Sequence, residues 1–423
     1  MVHTSFSLDA CSVFFYFEGR GSLVVTSGLA HVYGVPLRIN FRYQFDGCGV
    51  PLEVVSSVNL DVKGSFTYKQ DQIPTAPYVL HSQIHRKREK AGLQGLLQVQ
   101  SEQSVLKDGD LPVLGPRVMV IGAHNTGKTT LCRTLVNLGV KLGQHSIAYI
   151  DVNVDQQSIT CPGSVSASFI EAPVSLDEGF GTTMPLSFFF GDTRVDQTSR
   201  KRYLDLCAEL AHATDSVARQ RLLFSTGGAV INTMGSTAEF GIDLLMELCS
   251  LFAVTDVVVC GSDAKLENDM YNAVGIGSSV SVMGFPKYTQ MLPRDENTLA
   301  AARDRQLASY FIGTAHSPLL FARQTARVDE VSFLHALTLR PLAWNEVPVN
   351  RLAAVVWADT AEQAASANVA GFVVLFEVGK SFFSFASPSM GPVPKPFLLV
   401  SPTLCVPVEC LVAAKGGRVG TAE

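Results

Sequence analysis

Apolar positions follow three regimes along the chain. Up to about residue 77 they come as short runs: Phe6–Leu8, Val13–Phe17, Leu23–Thr26, Leu37–Tyr43 and Leu52–Val55. Gly19, Gly21, Gly28, Gly34, Gly47 and Gly49 separate them. Closely spaced runs with glycine turns predict a small N-terminal β-sandwich. Tyr78 to about Gln100 reads as a helical, linker-like stretch holding a basic run, His85-Arg86-Lys87-Arg88-Glu89-Lys90. From Gly115 strand and helix patterns alternate. Arg117–Gly122 predicts a strand, Thr129–Leu142 a helix with Leu131, Leu135 and Leu138 on one face, and Ser146–Asp151 a second strand. Ala229–Asn232 follows as a third strand, Phe240–Phe252 as a helix, Asp256–Cys260 as a fourth strand and Arg303–Tyr310 as a late helix. Such alternation implies α/β structure with a parallel sheet covered on both faces. Beyond Gly313 strand patterns return at Leu352–Val356, Gly371–Glu377, Ser381–Phe385 and Phe397–Val400, broken by Pro388, Pro392, Pro394 and Pro396. The expected organisation is a β domain over 1–77, a linker helix region over 78–114, an α/β domain over 115–312 and a β-rich mixed domain over 313–423.

The first predicted strand of the α/β domain runs into Gly122-Ala123-His124-Asn125-Thr126-Gly127-Lys128-Thr129, the Gly-x-x-x-x-Gly-Lys-Thr spacing of a phosphate-binding P-loop, with Thr130 next. Gly122 and Gly127 lack Cβ and let the backbone curl its N–H groups around an anion. Lys128 adds a point charge for the β- and γ-phosphates, the Thr129 hydroxyl can hold Mg2+, and the helix N-terminus adds its partial positive charge. The loop lies at the carboxyl end of its strand, where parallel sheets bind ligands. A motor-type NTPase would end the neighbouring strand in an acid; Ala229–Ile231 ends in Asn232 instead.

Composition narrows the classes. The chain has 423 residues, 47% hydrophobic and 17% charged, enough to bury large cores in two or three domains. A net charge of −5 argues against a generic RNA-coating protein, so any RNA contact is local. The nine cysteines form no Cys-x-x-Cys pair and read as buried thiols in a reducing compartment. No apolar run is long enough to span a bilayer. The 85–90 run reads as a nuclear address, an RNA contact or a solvated helix face.

Several tags besides the P-loop carry a resemblance. They are Gly28-Leu29-Ala30 with Tyr33-Gly34, Gly115-Pro116-Arg117-Val118-Met119-Val120, Thr160-Cys161-Pro162-Gly163, Val230-Ile231-Asn232-Thr233, Tyr310-Phe311-Ile312-Gly313 and Val369-Ala370-Gly371-Phe372. In this order and spacing they resemble the Clp-type polynucleotide 5′-hydroxyl kinase family, a cleavage-factor subunit of pre-mRNA 3′-end processing. The resemblance implies three parts matching the layout above, with ATP and Mg2+ as cofactors. It also implies cleavage and polyadenylation factor subunits as partners, RNA as a candidate partner, and a nuclear location. Active relatives phosphorylate RNA 5′-hydroxyls, whereas others hold ATP as scaffolds.

Carried over residue by residue, the resemblance is uneven. The family motif Asp-x-x-Gln falls on Asn153-Val154-Asp155-Gln156, so an amide stands where the acid belongs. An amide cannot take a proton. Asp151 and Asp155 flank it, but two residues of extended chain is roughly 6–7 Å. Ser236 stands where active relatives clasp the RNA base with tryptophan. Arg294 and Arg303 match lid arginines, while Leu299-Ala300 and Gln306 replace others and Arg305 is a candidate substitute. The nucleoside-contacting lysine falls near Val50, and no glutamate precedes Phe17-Glu18 at the acid position. The expected protein is an ATP-binding, kinase-inactive scaffold, with an active RNA 5′-kinase as the alternative.

Overall fold

The computed structural model describes residues 3–101, 113–143, 145–176, 179–180, 184–235, 241–288, 294–314 and 317–414. The chain divides into two compact units. The first holds residues 1–151, 167–184 and 211–295; the second holds 152–166, 185–210 and 296–423.

The first unit begins with the expected β-sandwich. A four-stranded sheet runs in the order His3–Leu8, Val58–Lys63, Arg20–Ser27, Arg42–Asp46. A five-stranded sheet runs Val35–Pro36, Ala30–Val32, Gly49–Val54, Cys11–Phe17, Phe66–Asp71. Strict alternation in Arg42–Asp46 sends Tyr43 and Phe45 inward, and Phe45 stacks on Phe17 with ring centroids 5.2 Å apart. The run Leu37–Tyr43 is not one strand. Asn40, at φ 60°, turns the chain inside it. Val58–Lys63 and Phe66–Asp71 escaped the sequence reading because polar residues occupy half or more of their positions.

The parallel strands of this unit are centred on Arg117–Ile121. Ala229–Asn232 and Asp256–Cys260 pair with it on either side; Ile147–Asp151 lies beyond the former and Ser281–Phe285 beyond the latter. All five run parallel, and the central ones are fully buried, as continuous apolar runs require. Helix Lys128–Gly143 follows the first strand, and helix Gly241–Leu251 starts where expected except that Phe240 lies outside the described residues. Ala229–Asn232 is not third in chain order. Ser164–Ile170 and Leu186–Phe189 precede it, as does the 21-residue helix Arg200–Gln220. Buried serines at 164, 166 and 168 hid the first of these strands.

The basic run is resolved by periodicity. Helix Ala76–Ser101 buries Leu80, Ile84, Arg88 and Ala91, a helical stripe on which Arg88 happens to fall. Arg88 is 0% exposed, donates from Nε to the Gly227 carbonyl at 2.9 Å and lies against Gly139, where a Cβ would come within 2.7 Å of its Nη1. Lys87 pairs with the buried Asp256 at 2.5 Å. The run is therefore neither a free basic address nor a wholly solvated face. His81 stacks on His85, whose Nδ1 lies 3.2 Å from His145 Nε2.

In the second unit a seven-stranded sheet runs Ala322–Arg327, Phe382–Ser387, Val369–Val378, Arg351–Val356, Phe397–Cys405, Ser332–His335, Pro341–Leu342. The four strands expected after Gly313 are all present. One face packs Leu352, Ala354, Val356, Phe372 and Val374 with Leu307 and Phe311 of helix Glu296–Ile312. The other packs Ala353, Val355, Val373, Leu375, Phe383 and Phe385. Tyr310 ties helix to sheet by accepting the Phe372 N–H at 3.0 Å. All nine cysteines are free, and seven are buried. Among the described residues no helix is long and apolar enough to cross a membrane.

Burial, and then the Arg88 charge, push the His81 and His145 imidazoles down to about 4. Folded protein thus binds fewer protons than unfolded protein between about pH 6.5 and 4, and stability is lost as pH falls through that window. We expect a loss of roughly 1–2 kcal/mol after solvent screening, read as a falling thermal midpoint, and a flatter profile in His81→Gln.

Candidate nucleotide site

The P-loop occupies the turn between strand Arg117–Ile121 and helix Lys128–Gly143 in the first unit. Gly122 sits at φ 140° and Gly127 at φ 98°. A Cβ on Gly122 would come within 2.3 Å of the Cys260 carbonyl oxygen, so no side chain fits the first bend. Asn125 takes φ 59°, a conformation asparagine tolerates better than most. Thr126 Oγ1 donates to the Ala123 carbonyl at 3.0 Å and tightens the loop. Ala123 and His124 are exposed at its crest, with the His124 ring against Gly235. Thr130 is buried, its carbonyl accepting from Thr134 Oγ1 at 2.9 Å.

Lys128 turns back under this loop. Its ammonium donates to the Gly122 carbonyl at 3.0 Å and the Ala123 carbonyl at 2.8 Å. Two of its three protons are thus used, on neutral oxygens, in a side chain only 7% exposed. Burial pushes its pKa down to about 8. An anion on the loop would reverse that cost, so the residues present fit a polyphosphate.

Behind the loop, three strand ends stand level. Asn232 is in register with Val120 of the P-loop strand and with Asp151. Asn232 Nδ2 donates to Asp151 Oδ1 at 3.0 Å and lies 3.4 Å from Thr129 Oγ1. A hydroxyl beside a buried carboxylate suits Mg2+, a hard ion that prefers oxygen and shares its shell with phosphates and water. Among the described residues no group of three or more His, Cys, Asp or Glu could hold an ion unaided, so Thr129 would hold it together with the phosphates. Arg294 joins this cluster through Asn125, donating from Nε to Asn125 Oδ1 at 3.3 Å while its carbonyl accepts from Nδ2 at 3.1 Å.

Asn153, Asp155, Gln156, Arg303 and Gln306 lie in the second unit. Asn153 Oδ1 accepts the N–H groups of Asp155 and Gln156 at 3.2 and 3.3 Å, an Asx-type turn. Asp155 meets Arg303 at 2.5 Å, both largely buried. Gln156 Nε2 is buried without a hydrogen-bond partner. Gln306 donates to the Thr160 carbonyl at 3.0 Å. Val50 is 3% exposed within the sandwich core and offers no cation to a nucleoside. Ser236 lies outside the described residues. Sequence reasoning missed the bridge through Asn232; the position of both Asp151 and Asn232 at carboxyl strand ends was the signal available.

Comparison with known proteins agrees with this geometry. A family model describing the mRNA cleavage and polyadenylation factor CLP1 P-loop matches residues 122–313. The chain belongs to the CLP1 P-loop family. It is 28% identical over 405 residues to a protein CLP1 homolog of Nematostella vectensis, covering 90% of each chain. It is also 28% identical to the human polyribonucleotide 5′-hydroxyl-kinase Clp1, covering 89% of this chain and 90% of that one. A solved complex of Clp1p with Pcf11p shares the fold, with a TM-score of 0.80 at 18% identity over 96% of this chain and 99% of that one. A second Clp1p structure, solved with Pcf11p and addressing ATP loss in a glycine-to-arginine mutant, gives the same TM-score of 0.80.

Two outcomes test the loop. Bound polyphosphate favours charged Lys128, so above about pH 8 binding must take up a proton. Affinity for a nucleoside triphosphate should hold up to about pH 8 and fall above it, and Lys128→Met should weaken binding at least roughly tenfold and abolish that fall. Gly122→Ala should cost about 1–3 kcal/mol in denaturant unfolding, because its Cβ has no room.

Proposed function

We propose that this chain binds ATP with Mg2+ at its P-loop and serves, without transferring phosphate, as a nuclear subunit of the pre-mRNA 3′-end cleavage and polyadenylation machinery. One observation carries the reading: Asp155, one of the two acids that could replace the missing one, is held by Arg303 at 2.5 Å. Phosphoryl transfer depends on positioning and charge neutralisation. Asn153 cannot accept the RNA proton. The pair with Asp155 spends both a carboxylate and a lid cation on each other. Loss of a general base alone costs on the order of 10²–10⁴ in rate.

The rat and human relatives are named for kinase activity, and the Clp1p of the solved complex carries Pcf11p. We extend the second property to this chain: a cleavage-factor subunit is its partner, and bound nucleotide stabilises the unit that carries the loop. The nuclear location follows from that role and not from the 85–90 run. A second reading, an active RNA 5′-kinase, is favoured by Asp151, whose carboxylate reaches Thr129 through Asn232.

The deciding experiment incubates the protein with 5′-hydroxyl RNA and γ-labelled ATP. We expect label transfer below roughly a hundredth of that of a kinase-active relative. Transfer at a comparable rate, abolished by Asp151→Ala even at saturating ATP, would establish the second reading instead. The double substitution Asn153→Asp with Ser236→Trp should raise transfer.

A further inference from the structure

We infer that Asp151 and Asn232 are positioning residues that aim the Thr129 hydroxyl at a nucleotide-bound magnesium ion. The inference rests on the nucleotide-binding part of the proposed function and is independent of whether phosphate is transferred.

P-loop proteins commonly end the strand beside the P-loop strand in a carboxylate that helps hold the metal. Here that strand ends in Asn232, and the negative charge stands one strand further out, at Asp151 in the same register. The amide between them has a defined orientation. Cys132 Sγ lies 3.9 Å from Asn232 Oδ1, and burial together with the Asp151 charge keeps the thiol protonated, hence a donor. With Oδ1 accepting from the thiol, Nδ2 faces the other way, where its two protons find two acceptors: Asp151 Oδ1 at 3.0 Å and Thr129 Oγ1 at 3.4 Å. A hydroxyl oxygen has two lone pairs. One is directed at the amide, and the other remains for the ion. Asp151 is 0% exposed and anchors the amide from the far side. Its charge also favours a cation at the hydroxyl without giving it a direct ligand.

Outer contacts of this kind typically change metal affinity 10–100-fold when removed. The test measures binding of a fluorescent ATP analogue to the full chain, once with Mg2+ and once with EDTA. Asp151→Asn keeps the shape and removes the charge. It should cut the magnesium enhancement of affinity roughly tenfold and leave the EDTA value within about twofold. Asn232→Ala is the second variant, should Asp151→Asn not fold, and must show the same split. The exchange Asp151→Asn with Asn232→Asp returns a carboxylate to the Thr129 side and should recover the enhancement. An unchanged enhancement in Asp151→Asn, or equal losses in both buffers, overturns the inference and leaves the proposed function standing. Wild-type protein that binds in neither buffer overturns both.

Discussion

The nucleotide loop of the first unit is built over a buried ammonium that pairs with no carboxylate among the described residues. Taking a charge out of water is costly unless it is paired. Among the described residues Lys128 donates to the carbonyls of Gly122 and Ala123 alone, and burial lowers its proton affinity. Arg117, at the start of the strand that leads into the loop, is treated differently: it pairs with Asp215 and donates to the Phe252 carbonyl at 3.0 Å. One cation is neutralised and serves the fold. The other is left with unsatisfied charge at the loop, which is what an anion-binding site needs. The backbone that makes this arrangement is closed on its far side by the Cys260 carbonyl, so the glycine at 122 is set by packing as much as by the ligand.

Negative charge is distributed with the same economy. Asp151 is fully buried and is linked to the P-loop hydroxyl through one amide. Asp155 stands four residues later along the chain and belongs to the second unit, where it meets Arg303. The Asn153 side chain and two backbone N–H groups form a turn in that same segment, and an amide there cannot accept a proton. Scaffolding and catalysis make different demands at this position. The turn needs only a hydrogen-bond acceptor, which asparagine supplies as well as aspartate. Proton transfer needs a base, which it does not.

What the sequence determined by itself was local. The P-loop, its strand and its helix follow from glycine placement and apolar periodicity within a dozen residues, and the strands Ala229–Asn232 and Asp256–Cys260 were legible as continuous apolar runs. That an amide stands at 153, where the resemblance implies an acid, was readable by counting from Pro162-Gly163. Tertiary structure decided whatever depends on which side chains meet. Arg88 looked like one more surface cation until the helix placed it on the stripe of Leu80 and Ile84. Ser164–Ile170 was not read as a strand because Ser164, Ser166 and Ser168 are buried instead of facing water, Ser166 beside the hydroxyls of Thr160 and Ser187. Asp151 and Asn232 lie 81 positions apart and become neighbours only through parallel pairing of their strands. Periodicity reports which face of an element is apolar; it carries no information about register between elements, and register is what brought these two side chains to the Thr129 hydroxyl.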